Sequence, residues 1–320
     1  MSRSARVTRR LSLVTVGIAA AALALGGCVV VPSVPFSHSQ FEGFNVISYV
    51  PDEPIGIVYV FHGTNGSASF AEKVETVDVL NALVDRGYGF VATESTERTG
   101  NRRWNVKNAS LSTNPDLARL TRLHQHLVAT TPVSATTPIM GLGISNGARF
   151  VSLFGQSWEN AGYPVGAIAM YMGRIAAPVE AAGPLTVPTQ FVTAENDFTS
   201  PPGPIIVDYA ATQNAGTPAE LRVGEEQNLS NLRFLRIPGI DGGEANAIVA
   251  ALVNAGIWNG TGTRVVSIDA AVAKLATVAL PPSTAAARAE IIDQCALILA
   301  VHQMRGDFRG PTADFFDQHR

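Results

Sequence analysis

Cysteine is almost absent from this chain. Its 320 residues hold two, Cys28 and Cys295, too few for a disulfide framework, so a folded domain here must take its stability from a buried core. Charge is also sparse, at 15% of residues, and basic side chains number 23 against 26 acidic ones. Four of the basic residues, Arg3, Arg6, Arg9 and Arg10, fall within the first ten positions, which leaves 19 basic against 26 acidic in the rest. A nucleic-acid partner needs a basic surface, so this balance excludes one and disfavours polyanionic substrates. No internal repeat is visible, and 29 Gly and 19 Pro stay below low-complexity levels, which excludes collagenous, coiled-coil and disordered chains. What remains is a chain 46% apolar and about twice the usual domain length, long enough for one elaborated domain with a sizeable core.

The first residues read as a targeting signal. A basic stretch ends at Arg10, and residues 11–25 are apolar, short for a bilayer span but right for the hydrophobic part of a signal peptide. Leu25-Gly26-Gly27-Cys28 follows and resembles a bacterial lipobox, in which small residues admit the signal peptidase before a lipidated cysteine. Arg9-Arg10 is loosely similar to a twin-arginine export signal. The resemblance implies a signal peptide over 1–27, lipidation at Cys28, a tether over 28–40 containing Pro32 and Pro35, and an exported protein anchored to the cell envelope through a membrane-bound Cys28.

From about Phe41 short β-branched runs alternate with helical stretches, the rhythm of an α/β domain with a mostly parallel sheet covered by helices. Strands are expected near residues 45–50, 55–61, 87–92, 138–143, 166–171 and 189–193, with helices near 70–85, 115–130 and 146–158. Asn114 followed by Pro115 and Asp116 has the composition of a helix start. After Asp197 the rhythm changes to a long Ala-rich, helical region.

Gly143-Ile144-Ser145-Asn146-Gly147 is a G-x-S-x-G sequence with an apolar run before it and a helix-competent segment after it. That is the strand-turn-helix setting of a nucleophile elbow, a strained turn that exposes a serine hydroxyl. Upstream, an apolar run enters His62-Gly63-Thr64. A turn of this kind presents a backbone N–H at Thr64 that, with the N–H of Asn146, would bind the oxyanion of a tetrahedral intermediate. His62 is then a structural residue of the turn. Downstream, an apolar strand runs into Ala194-Glu195-Asn196-Asp197, with Pro201 closing the loop. Either Glu195 or Asp197 could orient a base histidine from there.

Taken together, these ordered segments resemble the α/β-hydrolase superfamily. Within it, Ser145-Asn146-Gly147 and Trp104-Asn105 are similar to the secreted polyhydroxybutyrate depolymerase and feruloyl esterase group, over roughly residues 41–201. Ala148 departs from that group, which usually carries a further Gly there. The resemblance implies Asp197 as the acid and the order Ser, acid, His, which leaves His302 and His319 as possible bases. The loop after Leu221-Arg222-Val223, where compact hydrolases carry the histidine, has none. His302 is therefore expected as the base, within hydrogen-bond reach of Ser145, after a helical insertion around 228–285. Before the nucleophile, His124 and His126 are expected on a helix surface.

The resulting expectation is an exported serine carboxylic ester hydrolase that forms an acyl-serine intermediate on a small-molecule or polymeric ester. Trp104 is its candidate substrate contact, Phe61 near the same mouth is read as core packing, and no metal or organic cofactor is implied. The same three residues would also serve an envelope acyltransferase or peptidase, and a binding lipoprotein on a hydrolase scaffold is the non-enzymatic alternative.

Overall fold

The computed structural model describes residues 35–320. Cys28, the expected signal segment and most of the expected tether lie outside the described residues. Eight strands form one sheet: β1 (Ser37–Phe41), β2 (Phe44–Tyr49), β3 (Gly56–Phe61), β4 (Tyr88–Thr93), β5 (Ile139–Ile144), β6 (Val165–Tyr171), β7 (Thr189–Ala194) and β8 (Ala219–Gly224). Their order is β1-β2-β4-β3-β5-β6-β7-β8, antiparallel at β1–β2 and β2–β4 and parallel from β4 to β8. Central strands are buried on both faces, which is why they read in sequence as unbroken apolar runs. Along β3, Ile57, Tyr59 and Phe61 enter one apolar cluster while Val58 and Val60 enter another.

Helices cover both faces: α1 (Val74–Val84), α2 (Pro115–Thr130), α3 (Asn146–Asn160), α4 (Ala177–Ala182) and α5 (Pro202–Asn214). They are followed by α6 (Asn231–Phe234), α7 (Gly242–Asn254), α8 (Ile268–Thr277), α9 (Arg288–Ile298) and α10 (Arg309–Gln318). On one face Leu117, Leu120 and Leu123 of α2 pack with Phe150, Phe154 and Trp158 of α3. On the other, Val79 and Leu80 of α1 pack with Phe315 and Phe316 of α10. The start of α2 is capped as its sequence predicts, the Asn114 side chain accepting hydrogen bonds from the amides of Asp116 (3.0 Å) and Leu117 (3.3 Å), an arrangement worth about 1 kcal/mol. This strand order, with helices on both faces, is the α/β-hydrolase fold that the sequence resemblance implies.

Three expectations change. The tether was expected to run to Gln40, but β1 begins at Ser37. Glu42 and Gly43, at φ 52° and 80°, make a two-residue turn that folds β1 back on β2, and two positive φ values suit the right-handed twist of a hairpin. The helical insertion reaches past residue 285, because Ile291, Cys295 and Ile298 of α9 share one apolar cluster with Leu252, Trp258 and Leu275. His124 is 3% exposed instead of lying on the surface, its Nδ1 paired with the Tyr59 hydroxyl at 2.9 Å.

The insertion is tied to α1 by buried charge. Glu75, 4% exposed, pairs with Arg236 at 2.8 Å and accepts from Gln294 Nε2 (3.0 Å) and the Gly306 amide (2.6 Å). Asp307 pairs with Arg233 at 2.7 Å. Ion pairs this dry add little net stability, since desolvation offsets their attraction, but removing one partner strands the other, so they fix geometry. Here they fix where the chain goes between α9 and α10, the stretch that carries His302.

Candidate active site

The expected site residues sit at the carboxyl ends of the parallel strands, where open α/β sheets present loops for ligands. Ser145 joins β5 to α3 with φ 58° and ψ −118°, a conformation that costs a non-glycine residue roughly 1–3 kcal/mol. The turn is held by Ser145 N donating to the Tyr171 carbonyl (2.8 Å) and Arg149 N donating to the Ser145 carbonyl (3.1 Å). Its two glycines are packing requirements: a Cβ on Gly147 would lie 2.3 Å from the Phe61 oxygen, and one on Gly143 would lie 2.3 Å from the Gly147 oxygen. The Ala148 departure is accommodated at Gly173, where a Cβ would meet the Ala148 methyl at 2.6 Å.

Beside the elbow, β3 delivers His62, Gly63 and Thr64. The His62 ring is 1% exposed; its Nδ1 donates to the Gly63 carbonyl (2.7 Å), and its Nε2 accepts from the Ser95 amide (3.2 Å). That pairing assigns the neutral tautomer, and burial lowers the ring's pKa to about 4, so His62 braces the turn, as read from sequence. Among the described residues neither the Thr64 nor the Asn146 amide has a hydrogen-bond acceptor.

Trp104 lines the cavity beside Ser145 and has a structural role as well. Its indole is 2% exposed, stacks on Phe150 at 4.7 Å and donates to the His62 carbonyl at 2.9 Å. Asn146 Oδ1 accepts from the Trp104 amide at 2.7 Å. Trp104 therefore ties the elbow to the His62 turn while also lining the cavity beside Ser145, and Phe61 is fully buried. The segment containing Trp104 is anchored by Asp116 at the start of α2, whose carboxylate accepts from the amides of Thr96 and Asn105, both at 2.6 Å. Sequence reading had assigned Asp116 only to a helix start.

After β7, three consecutive side chains take separate partners. Glu195 accepts from the Glu226 amide at 2.6 Å, which occupies the alternative acid. Asn196 donates from its amide nitrogen to the Ala300 carbonyl and from Nδ2 to the Leu299 carbonyl, both at 3.0 Å. The side chain of Asp197 is buried; its Oδ1 accepts from the Thr199 (2.9 Å) and Ser200 (2.8 Å) amides, and its Oδ2 lies 2.7 Å from His302 Nδ1. His302 follows a sharp reversal at Ala300, φ 52°. His319, by contrast, packs on Phe315 at 4.6 Å between ring centres.

A cavity of about 720 Å³ opens here, lined by Thr64, Ser145 and Asn146 on the elbow side and by Thr199 and Ser200 of the acid loop. One expected contact is not formed: among the described residues no hydrogen bond joins the Ser145 hydroxyl to His302. Asn196 and the Asn146 side chain are site residues that sequence reading missed. The signal for Asn196 was its place directly before Asp197, in the loop that meets the chain leading to His302.

No protein-family model matches this sequence, and no curated protein does. Solved structures do resemble it in part. Esterase PE8 is 17% identical, with a TM-score of 0.44 over 60% of this chain and 90% of its own. Acetyl xylan esterase from Aspergillus awamori is 10% identical, with a TM-score of 0.44 over 59% of this chain and 92% of its own. Est1E from Butyrivibrio proteoclasticus, solved with ferulic acid, is 10% identical, with a TM-score of 0.41 over 59% of this chain and 89% of its own.

Proposed function

We propose that the protein is a serine hydrolase of carboxylic esters. In this reading Ser145 attacks the ester carbonyl, His302 takes the serine proton and returns it to the leaving alcohol, and Asp197 holds the imidazole by its Nδ1 and stabilises its charged form. The amides of Thr64 and Asn146 receive the oxyanion; as fixed backbone donors they need no reorganisation when charge develops. Water then releases the acyl group from Ser145.

The observation that carries the proposal is the 2.7 Å pairing of His302 with a buried carboxylate 105 residues away, on the strand edge that also bears the strained Ser145. A salt-bridged histidine on an ordinary surface would need neither the burial nor the two amides on the second carboxylate oxygen. Catalytic hydrogen bonds often tighten only around substrate, so the Ser145–His302 bond is expected to form as the ester binds.

Activity-based labelling with a fluorophosphonate, together with hydrolysis of para-nitrophenyl butyrate, tests the assignment. Ser145→Ala is expected to fold, to remain unlabelled and to lose on the order of 10⁶-fold in turnover. His302→Ala is expected to lose activity comparably while His319→Ala keeps it. Wild-type turnover in Ser145→Ala or His302→Ala would refute the corresponding role.

We place the protein in the cell envelope, exported and lipidated at Cys28, on the strength of Leu25-Gly26-Gly27-Cys28 alone. Cys28→Ser should abolish lipid labelling and release the protein from membranes, because firm anchoring needs more than one acyl chain and a lipidated N-terminus supplies several. Unchanged labelling and membrane retention would refute it.

A further inference from the structure

The charges around the cavity are not balanced in the way their positions require. Five charged residues line it: Glu97, Asp116, Arg103, Lys107 and Arg149. Both carboxylates have donors, Asp116 the two amides that anchor the Trp104 segment, and Glu97 the amide of Arg103 at 3.2 Å. The three cations have none. Among the described residues the side chains of Arg103, Lys107 and Arg149 make no hydrogen bond and no ion pair, and all three are exposed. Several arginines elsewhere do find carboxylates, as Arg122 does with Glu42, Arg174 with Asp208 and Arg264 with Glu226.

This concentration runs against the composition. Beyond the first ten residues acidic side chains outnumber basic ones, 26 against 19, so a random solvated patch would be acidic. Arg149 adds a positional argument. It sits in the first turn of α3, which starts directly after Ser145, and lines the same cavity as Ser145.

Resting on the ester-hydrolase reading, we propose that the cavity selects esters carrying an anionic group, such as a carboxylate, which Arg103, Lys107 and Arg149 bind while Ser145 attacks the ester carbonyl. The preference is for one anionic group and not for a polyanion, because the cations are local and the rest of the chain is acidic. Guanidinium groups suit the task, offering paired donors in the geometry of a carboxylate. The covalent step is the one already given: the ester C–O bond breaks, the serine O–C bond forms, and the anionic group is only held.

The test compares matched pairs at low salt, with spontaneous hydrolysis subtracted. Mono-para-nitrophenyl adipate against para-nitrophenyl hexanoate puts the charge on the acyl side, and para-acetoxybenzoate against phenyl acetate puts it on the alcohol side. For at least one pair kcat/KM is expected to be higher for the anionic ester. That ratio should fall as salt screens the exposed cations, and by about fivefold in Arg149→Gln. Anionic preference in neither pair overturns the proposal, as does a preference that survives salt and the three substitutions Arg149→Gln, Arg103→Gln and Lys107→Gln. Binding of adipic acid monoanilide against hexanoic anilide, which does not depend on turnover, separates the two layers of the argument. If no ester is cleaved, the hydrolase reading fails, and the site preference still stands on tighter, salt-sensitive binding of the charged anilide or falls with equal binding.

Discussion

His62 shows how a single buried ring couples the site to pH. Burial holds its pKa at about 4, against an ordinary value of 6.5, and both of its nitrogens are engaged. Because the folded value is the lower one, the unfolded chain takes up the proton first as pH falls. The stability conferred by the neutral ring is complete above about pH 6.5 and is lost progressively toward about pH 4, a swing of roughly 3 kcal/mol. Denaturant unfolding of wild type and His62→Gln at about pH 7 and about pH 4.5 should show the variant less stable at the higher pH but losing less on acidification. His124, also lowered by burial, contributes the same slope to both proteins and cancels. Equal losses would mean that the His62 ring does not titrate in this range.

At the scale of elements, the acid loop does the positioning. Asn196 holds the carbonyls of Leu299 and Ala300, three and two residues before His302, so the loop that carries Asp197 also grips the loop that carries His302. Asn196→Ala removes one of the two bonds and should cost about 1 kcal/mol in stability. Turnover should fall about tenfold with KM little changed, since a misplaced base weakens the chemical step more than binding; a change in KM alone would argue against this role. The sequence made the central elements legible because the β strands from β3 to β6 are apolar runs bounded by turns, and because α2 announces its start at Asn114. The elbow was legible for the same reason, its glycines being demanded by contacts within one supersecondary unit. β1 was not, since its residues are polar and largely exposed, leaving no apolar pattern to read. The bracing role of Trp104 was not legible because a large aromatic near a motif carries no sign of which way it packs. The cations of the cavity were not legible as a group because Arg103, Lys107 and Arg149 come together only in the folded chain, around one cavity.

On the scale of the whole molecule, the helical insertion separates Asp197 from His302 in sequence and yet the two meet. It has its own apolar cluster around Phe234, Leu252 and Trp258, and its ends are pinned where the Gln227 amide donates to the Ile298 carbonyl at 2.8 Å. That pin has a consequence in time. Closing an unstructured loop of the 105 residues between Asp197 and His302 costs about 4 kcal/mol in chain entropy, whereas a folded, pinned insertion leaves a flexible path of only about thirty residues and lowers the cost by about 1 kcal/mol. The fast route to the native state therefore folds the insertion before the histidine docks, and the Asp197–His302 contact is among the last to form. Refolding followed by far-ultraviolet circular dichroism should recover helix and sheet ahead of fluorophosphonate labelling at Ser145, and coincident recovery of the two signals would refute that order. During the lag the chain would already have its secondary structure while its serine still lacked a base.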